Sequence, residues 1–267
     1  MSSPNSRKWN LILGIPVTLI LLWLLASLYL TSQSTALIFN NKVSWAPVPN
    51  FGYKLEFLKD KENRSISLWT FDQNKQSDKV ILYLHGNSGR INDFFADLVQ
   101  YGTVVSPAYP GYHESEGAPD TDGVYEAALL AYDNLVTTKG IDPKNIIILG
   151  HSMGGSPAVY VASERPETRK LILINTFSSI QSMCQRQYSI LCGFTGDILP
   201  TTTYAPKVTI PVRQFVYRGD LSVPPAEGDK LFENFTGAND KKKFDLNKNT
   251  HTYPDLNEVF TLAEEAN

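Results

Sequence analysis

The pentapeptide G-H-S-M-G at residues 150–154 is the feature that most restricts how this chain folds. It follows an apolar, β-branched run, Asn145–Leu149, and precedes a stretch compatible with a helix, Ser156–Arg165. This order predicts a strand that enters a sharp turn and a helix that leaves it at once. Glycines on both sides of Ser152 suit such a turn because it leaves no room for Cβ atoms. The pattern predicts a serine exposed at the edge of a sheet; the alternative is a plain glycine-rich turn.

Strand-like and helix-like segments alternate over the rest of the chain. The segments predicted as buried strands are Val80–Leu84, Thr103–Ala108, Asn145–Leu149, Leu171–Ile174, Val212–Tyr217 and, more weakly, Lys243–Leu246. The segments with helical periodicity are Ile91–Tyr101, Val124–Val136, Ser156–Arg165 and Asp255–Ala266. Before them, Tyr53–Leu58 and Ser65–Phe71 alternate apolar and polar residues, which predicts a hairpin. We therefore predict an α/β fold with a mainly parallel sheet, helices on both faces and an antiparallel edge.

The N-terminus carries a second strong pattern. Residues 11–30 contain no charged side chain, and as a helix they would span about 30 Å, the thickness of the apolar core of a bilayer. We predict an uncleaved transmembrane signal anchor over 11–30, between a tail at 1–10 and a linker at 31–50. The alternative is a cleaved signal peptide, whose apolar core is usually shorter. Since Arg7 and Lys8 precede the span, we expect a cytoplasmic tail and a folded domain, residues 51–267, across the membrane in a periplasm or secretory lumen.

The alternation lapses between residues 176 and 211. This segment holds both cysteines of the chain, Cys184 and Cys192, and has little periodicity. Because long irregular segments inside compact domains usually have a role, we predict a small lid insertion here rather than an ordinary connection. In an oxidising compartment the two cysteines could form a disulfide, and otherwise they are free thiols; the sequence leaves both states open.

The charge of the chain argues against nucleic acid as a partner. The net charge is −3, and the single basic run, Lys241–Lys243, lies between Asp240 and Asp245. That run is predicted as the solvated start of a strand and not as a binding surface. The oligomeric state is left open.

Ser152 needs a base if it is to act as a nucleophile, because a serine hydroxyl is a poor nucleophile until an imidazole removes its proton. The chain has four histidines. His85 lies at a strand end, where a local structural hydrogen bond is expected, and His113 lies in an early loop. His151 adjoins Ser152, and neighbouring side chains in such a turn point apart. His251 is the one that follows Ser152 in the chain, so the order serine, acid, histidine selects it as the base, although a histidine in a late loop is more often only solvated.

The acid that orients the base should follow a strand between these two residues. Asp220 lies in a turn directly after the predicted strand Val212–Tyr217, and sites in α/β sheets form at the carboxyl ends of strands. Asp197 in the insertion and Asp229 in the next helix are weaker candidates, and Asp220 could instead be a turn residue only. We predict Asp220 as the acid.

Two backbone N–H donors are needed to stabilise the oxyanion of a tetrahedral intermediate. One is predicted at Met153, the residue after the nucleophile. The other is predicted at Asn87, in the glycine-rich loop 85–89 that follows the strand Val80–Leu84, with Ser88 as the alternative. The same loop would also suit a plain strand-to-helix turn.

These motifs together resemble the α/β-hydrolase superfamily from about residue 51 to the C-terminus. The H-G-N-x-G loop, the G-H-S-M-G turn and the segments 109–117, 173–179 and 219–224 look like its membrane-anchored branch. The resemblance implies the α/β-hydrolase fold and a serine hydrolase of the esterase, lipase or thioesterase type, which needs no cofactor and no metal. Two positions depart from the usual pattern, where Pro110 replaces an arginine and Thr252 an asparagine, and both could alter substrate choice.

The favoured reaction is hydrolysis of a small-molecule or lipid-like acyl ester or thioester through an acyl-Ser152 intermediate. A serine peptidase with the same triad is the nearest alternative, because the same chemistry cleaves amides. A binding module that keeps the fold without catalysis is the alternative from a different class. The joint presence of Ser152, Asp220 and His251 argues against such a module, while the acyl length and the natural substrate are left open.

Overall fold

The computed structural model describes residues 16–29, 32, 38–39, 52–72, 77–88, 91–188, 192, 198–252 and 254–265. Its strands are β1 Lys54–Lys59, β2 Ser65–Phe71, β3 Val80–Leu84, β4 Thr103–Pro107, β5 Ile146–His151, β6 Lys170–Ile174, β7 Val212–Tyr217 and β8 Lys241–Leu246. They form one eight-stranded sheet in the order β1-β2-β4-β3-β5-β6-β7-β8. β2 pairs antiparallel with β1 and β4, and the other pairs are parallel. The predicted mainly parallel sheet with an antiparallel edge is confirmed.

The central strands are buried along their whole length because their side chains are covered on both faces. Every residue of β3, β5, β6 and β7 is buried, as expected of parallel strands with helices on both sides. β1 and β8, at the two edges of the sheet, contain only exposed and half-buried residues. The basic run Lys241–Lys243 forms the first half of β8, which starts earlier than predicted; lysines on an edge strand oppose pairing with another sheet.

The helices are α1 at residues 16–29, α2 Phe95–Leu98, α3 Thr121–Asp133, α4 Gly155–Glu164, α5 Ile180–Tyr188, α6 Thr201–Tyr204, α7 Pro225–Glu233 and α8 Leu256–Glu265. α3 contacts α4, and α2 contacts α8. α3 begins before the predicted Val124 because the Asp120 carboxylate accepts a hydrogen bond from the Gly123 N–H at 2.6 Å and caps the first turn. The predicted helix Ile91–Tyr101 is shorter, with a 3-10 turn at Ile91–Phe94 followed by α2.

The N-terminal helix α1 exposes most of its apolar side chains. In the part of the chain that the structure describes, no helix is both long and apolar enough to cross a bilayer. The predicted anchor also includes residues 11–15 and 30, which lie outside the described residues, as do residues 1–10 and most of the linker at 31–50.

The described part of the segment 176–211 contacts the body of the domain. α6 packs against α4, and α5 is joined to α7 by the buried Glu227 carboxylate, which lies 3.2 Å from Nε of Arg186. Cys184 and Cys192 form a disulfide with their Cα atoms 5.8 Å apart. Of the two redox states that the sequence left open, the structure therefore has the oxidised one. The role of this segment as a lid stays a prediction.

Candidate active site

The pentapeptide at residues 150–154 forms the expected strand, turn and helix. β5 ends at His151, Ser152 has a φ of 54°, and α4 begins at Gly155. A positive φ is uncommon for a residue with a side chain and indicates local strain in the turn. A Cβ atom on Gly154 would overlap the backbone carbonyl oxygen of Leu84, so glycine is required there. These constraints hold Ser152 at the carboxyl end of β5.

The side chains of Ser152, His251 and Asp220 form one chain of hydrogen bonds. Oγ of Ser152 lies 2.9 Å from Nε2 of His251, and Nδ1 of His251 lies 2.6 Å from Oδ2 of Asp220. Because a carboxylate only accepts hydrogen bonds, Nδ1 carries the proton and Nε2 is left to accept from the serine hydroxyl. The structure thus brings together, from the ends of β5, β7 and β8, the three residues selected from the sequence.

Asp220 is held by its own turn. It is 4% exposed, and its Oδ1 accepts hydrogen bonds from the backbone N–H groups of Ser222 and Val223 at 2.8 and 3.0 Å. With Oδ1 bound to the backbone, Oδ2 is directed at His251. A buried, oriented carboxylate in this position can fix the tautomer of the imidazole and stabilise its protonated form.

The other candidate acids differ from Asp220. Asp229 lies on α7 in ion pairs with Arg218 and Lys243, and hydrogen bonds from these two cations hold the pKa of its carboxyl at about 2. This network ties α7 to β8 and to the residue that follows β7, and it accounts for Asp229 without a role in catalysis. Asp197 lies outside the described residues.

A cavity of about 230 Å³ opens at Ser152. It is lined by residues 83, 86–88, 94, 151–152 and 251–252, so the loop after β3 faces the serine across it. Asn87, the predicted oxyanion donor, and Ser88, its alternative, both border this cavity, as does Thr252. Met153, the other predicted donor, directly follows the serine and is buried. Among the described residues, no group of three or more His, Cys, Asp or Glu side chains is placed to hold a metal ion.

Two tyrosines fix the loop after β3. The Tyr112 hydroxyl donates to the backbone carbonyl of Asn87 at 3.0 Å, and the Tyr109 hydroxyl donates to that of His85 at 3.1 Å. Burial raises the pKa of both phenols, so both keep the proton that they donate. Neither contact was predicted, although both tyrosines lie in the segment 109–117 that contributes to the family resemblance. The contacts hold the backbone around Asn87 in place.

Two histidines beside the site are buried. Nδ1 of His85 donates to the Gly86 carbonyl at 2.8 Å, which is the local structural bond that was expected, and burial lowers the pKa of His85 to about 3. Nε2 of His151 lies 2.8 Å from the backbone carbonyl oxygen of His251, and burial lowers the pKa of His151 to about 4. This second contact was missed because its partners are 100 residues apart and nothing in the local sequence indicates it.

The chain is similar to known proteins in sequence and in fold. The model of the alpha/beta hydrolase family matches residues 81–255, a segment that includes Ser152, Asp220 and His251. A 91-residue stretch is 37% identical to a multifunctional-autoprocessing repeats-in-toxin protein of Vibrio cholerae, and it covers 32% of this chain but only 2% of the toxin. An uncharacterized membrane protein of Saccharomyces cerevisiae is 27% identical over 221 residues, which cover 74% of this chain and 73% of that protein. Among solved structures, an esterase of Pyrococcus furiosus aligns over 84% of this chain and 92% of its own with a TM-score of 0.66; at 18% identity this is a similarity of fold.

Proposed function

This chain belongs to the alpha/beta hydrolase family, and from that premise we propose that it is a serine hydrolase that cleaves acyl esters or thioesters. The observation that carries the proposal is the hydrogen-bonded chain from Ser152 through His251 to Asp220. Such a chain is what a serine needs to become a nucleophile near neutral pH. A module that only binds a ligand has no use for all three groups in this arrangement.

In the proposed first step, Oγ of Ser152 attacks the carbonyl carbon of the substrate while its proton moves to Nε2 of His251. The Asp220 carboxylate keeps Nδ1–H in place and stabilises the imidazolium that forms. The backbone N–H groups of Asn87 and Met153 would bind the oxyanion, and each such donor is worth on the order of a hundredfold in rate. Nε2 then gives its proton to the departing alcohol or thiol, which leaves an acyl group on Ser152.

In the proposed second step, a water molecule takes the place of the leaving group. His251 removes one proton from it as its oxygen attacks the acyl carbonyl. That proton then returns to Oγ of Ser152 as the carboxylic acid leaves. One imidazole carries every proton, so the proposed reaction uses no metal and no cofactor.

We also propose that residues 11–30 anchor the chain in a membrane, with residues 1–10 in the cytoplasm and the hydrolase domain on the opposite side, in a periplasm or secretory lumen. The uncharged run and the basic residues before it support this, as does the description of the yeast relative as a membrane protein. The Cys184–Cys192 disulfide favours the oxidising side. A domain tethered beside a bilayer is suited to small-molecule or lipid-like acyl substrates. Reporters fused to the C-terminus test the orientation, which would be wrong if only a cytoplasmic reporter were active.

The test of the reaction is hydrolysis of p-nitrophenyl esters of increasing acyl length, compared with aminoacyl amides. We expect turnover of at least one ester, and a loss of about 10⁴-fold or more in Ser152→Ala. Ser163→Ala is the matched control, because this serine lies in α4 and its hydroxyl donates to the Tyr160 carbonyl of the same helix. Turnover of amides without esters would make the protein a peptidase, and activity retained in Ser152→Ala would reject the mechanism.

A further inference from the structure

The side chain of His151 connects the strand that carries the serine to the loop that carries the base. Its Nε2 lies 2.8 Å from the backbone carbonyl oxygen of His251. A carbonyl oxygen can only accept a hydrogen bond, so Nε2 of His151 must be the nitrogen that bears the proton. The proposed reaction gives this residue no part, although it lines the same cavity as Ser152.

The His151 ring is fixed on several sides. It is 6% exposed, and the ring of Phe94 meets it edge-on with the centroids 5.3 Å apart. The ring of His251 lies on another side, with its centroid 5.3 Å from that of His151. Burial lowers the pKa of His151 to about 4, so the ring is neutral near pH 7. A neutral ring does not repel the imidazolium that forms on His251 during the proposed reaction.

The base lies on a loop between β8 and α8 and not on a regular element. Its imidazole is fixed at Nδ1 by Asp220, and its main chain is fixed at the carbonyl oxygen by His151. Because His151 ends β5 and Ser152 follows it, the same strand end sets the position of the nucleophile and of the base loop. A shift of about 1 Å between reacting groups can cost on the order of a hundredfold in rate, so this alignment matters.

We infer that His151 is a positioning residue, whose Nε2–H holds the backbone of His251 so that the imidazole keeps its place beside Ser152. This role rests on the proposed serine hydrolase function. His151 acts through His251 and does not itself touch the reacting atoms.

A pair of variants tests the inference with the ester that the wild type hydrolyses best. His151→Phe keeps a ring without a donor, and we expect kcat to fall by about 10- to 100-fold with KM within about twofold. His151→Gln places a neutral amide N–H near the position of Nε2, and we expect it to recover most of the lost kcat. The inference is wrong if the phenylalanine variant keeps the wild-type kcat, if the glutamine variant falls as far, or if KM changes instead of kcat.

A measurement on the wild-type protein keeps the inference testable if His151→Phe does not fold. In a spectrum of the ¹⁵N-labelled histidine side chains, His151 should be a neutral ring protonated at Nε2, unchanged between about pH 6 and 9. A proton on Nδ1, or titration in this range, would overturn the assignment. Labelling of the wild type by a fluorophosphonate separates the two proposals. A folded wild-type protein that stays unlabelled rejects the serine hydrolase. A wild-type protein that is labelled, together with a His151→Phe variant whose kcat is unchanged, rejects only the positioning role.

Discussion

Replacing Asp220 by asparagine removes a charge from the site while leaving the shape of the side chain nearly unchanged. Oδ1 of Asp220 accepts two backbone hydrogen bonds, from Ser222 and Val223, and the amide oxygen of asparagine would keep them. The NH₂ group would then face Nδ1 of His251, now 2.6 Å from Oδ2. Two donors cannot face each other, so the imidazole would carry its proton on Nε2 and could no longer accept the proton of Ser152.

The size of this effect follows from the charges involved. An imidazolium and a carboxylate whose charge centres are about 4 Å apart attract each other by about 4 kcal/mol at an effective dielectric constant of about 20. Loss of this attraction in the transition state corresponds to about 10³-fold in rate. The reversed tautomer brings the expected loss of kcat in Asp220→Asn to about 10⁴-fold.

The assay is steady-state ester hydrolysis by folded protein, with thermal melting as the check on folding. Asp229→Asn is the matched control, because it removes the same charge from a half-exposed ion pair with Arg218, and we expect its kcat to stay within about twofold of wild type. An Asp220→Asn variant that keeps more than about a tenth of the wild-type kcat would refute the assignment of the acid. A loss of equal size in Asp229→Asn would also refute it.

Three further predictions concern stability. Burial lowers the pKa of His151 to about 4, so between about pH 6.5 and pH 4 this residue binds more protons in the unfolded chain than in the folded chain. On account of His151, the free energy of unfolding should therefore fall by about 1.4 kcal/mol for each pH unit over this range as the pH is lowered. Urea denaturation at several pH values should show a correspondingly smaller slope in His151→Gln, and equal slopes would contradict the burial of the ring. The Cys184–Cys192 disulfide closes a loop with a sequence separation of 8. Its loss in the double serine variant should lower the free energy of unfolding by about 2.5 kcal/mol. A melting temperature that reductant leaves unchanged would contradict this. Gly154→Ala would force a Cβ atom into the carbonyl oxygen at the end of β3, and it should lower the free energy of unfolding by more than about 3 kcal/mol or prevent folding. Gly52→Ala is the control: the added atom meets nothing within 4 Å, so the free energy of unfolding should change little.

The central strands could be predicted from the sequence because their signal is local. Val80–Leu84 is a run of apolar residues long enough for a buried strand, and its boundaries agree with β3. Val212–Tyr217 is mainly apolar, although it includes Arg213 and Gln214, and its boundaries agree with β7. The elements that depend on partners were less accurate. β8 begins at Lys241 because pairing with β7, and not burial, defines an edge strand. α3 begins at Thr121 because a cap, and not the apolar periodicity, sets its first turn.

The grouping of the site residues could also be anticipated, because the chain order left His251 as the one histidine after the serine. Strand ends in a parallel sheet meet at the same edge, which brings Asp220 to it. The supporting contacts could not be anticipated. The bond from His151 joins residues 100 positions apart, and that from Tyr112 to Asn87 joins residues 25 apart, so both depend on the folded chain. The disulfide likewise required the structure, since the spacing of Cys184 and Cys192 permits either redox state.

The most direct test of the central claim, that Ser152 is a nucleophile activated by His251, is covalent labelling by a fluorophosphonate followed by intact-mass spectrometry and peptide mapping. The wild-type protein should gain one phosphonyl group, located on Ser152, and folded Ser152→Ala should gain none. His251→Gln should be labelled slower by about 10³-fold or more, because the serine has lost its base. A folded wild-type protein that stays unlabelled, or a label that maps to a different residue, would contradict the claim.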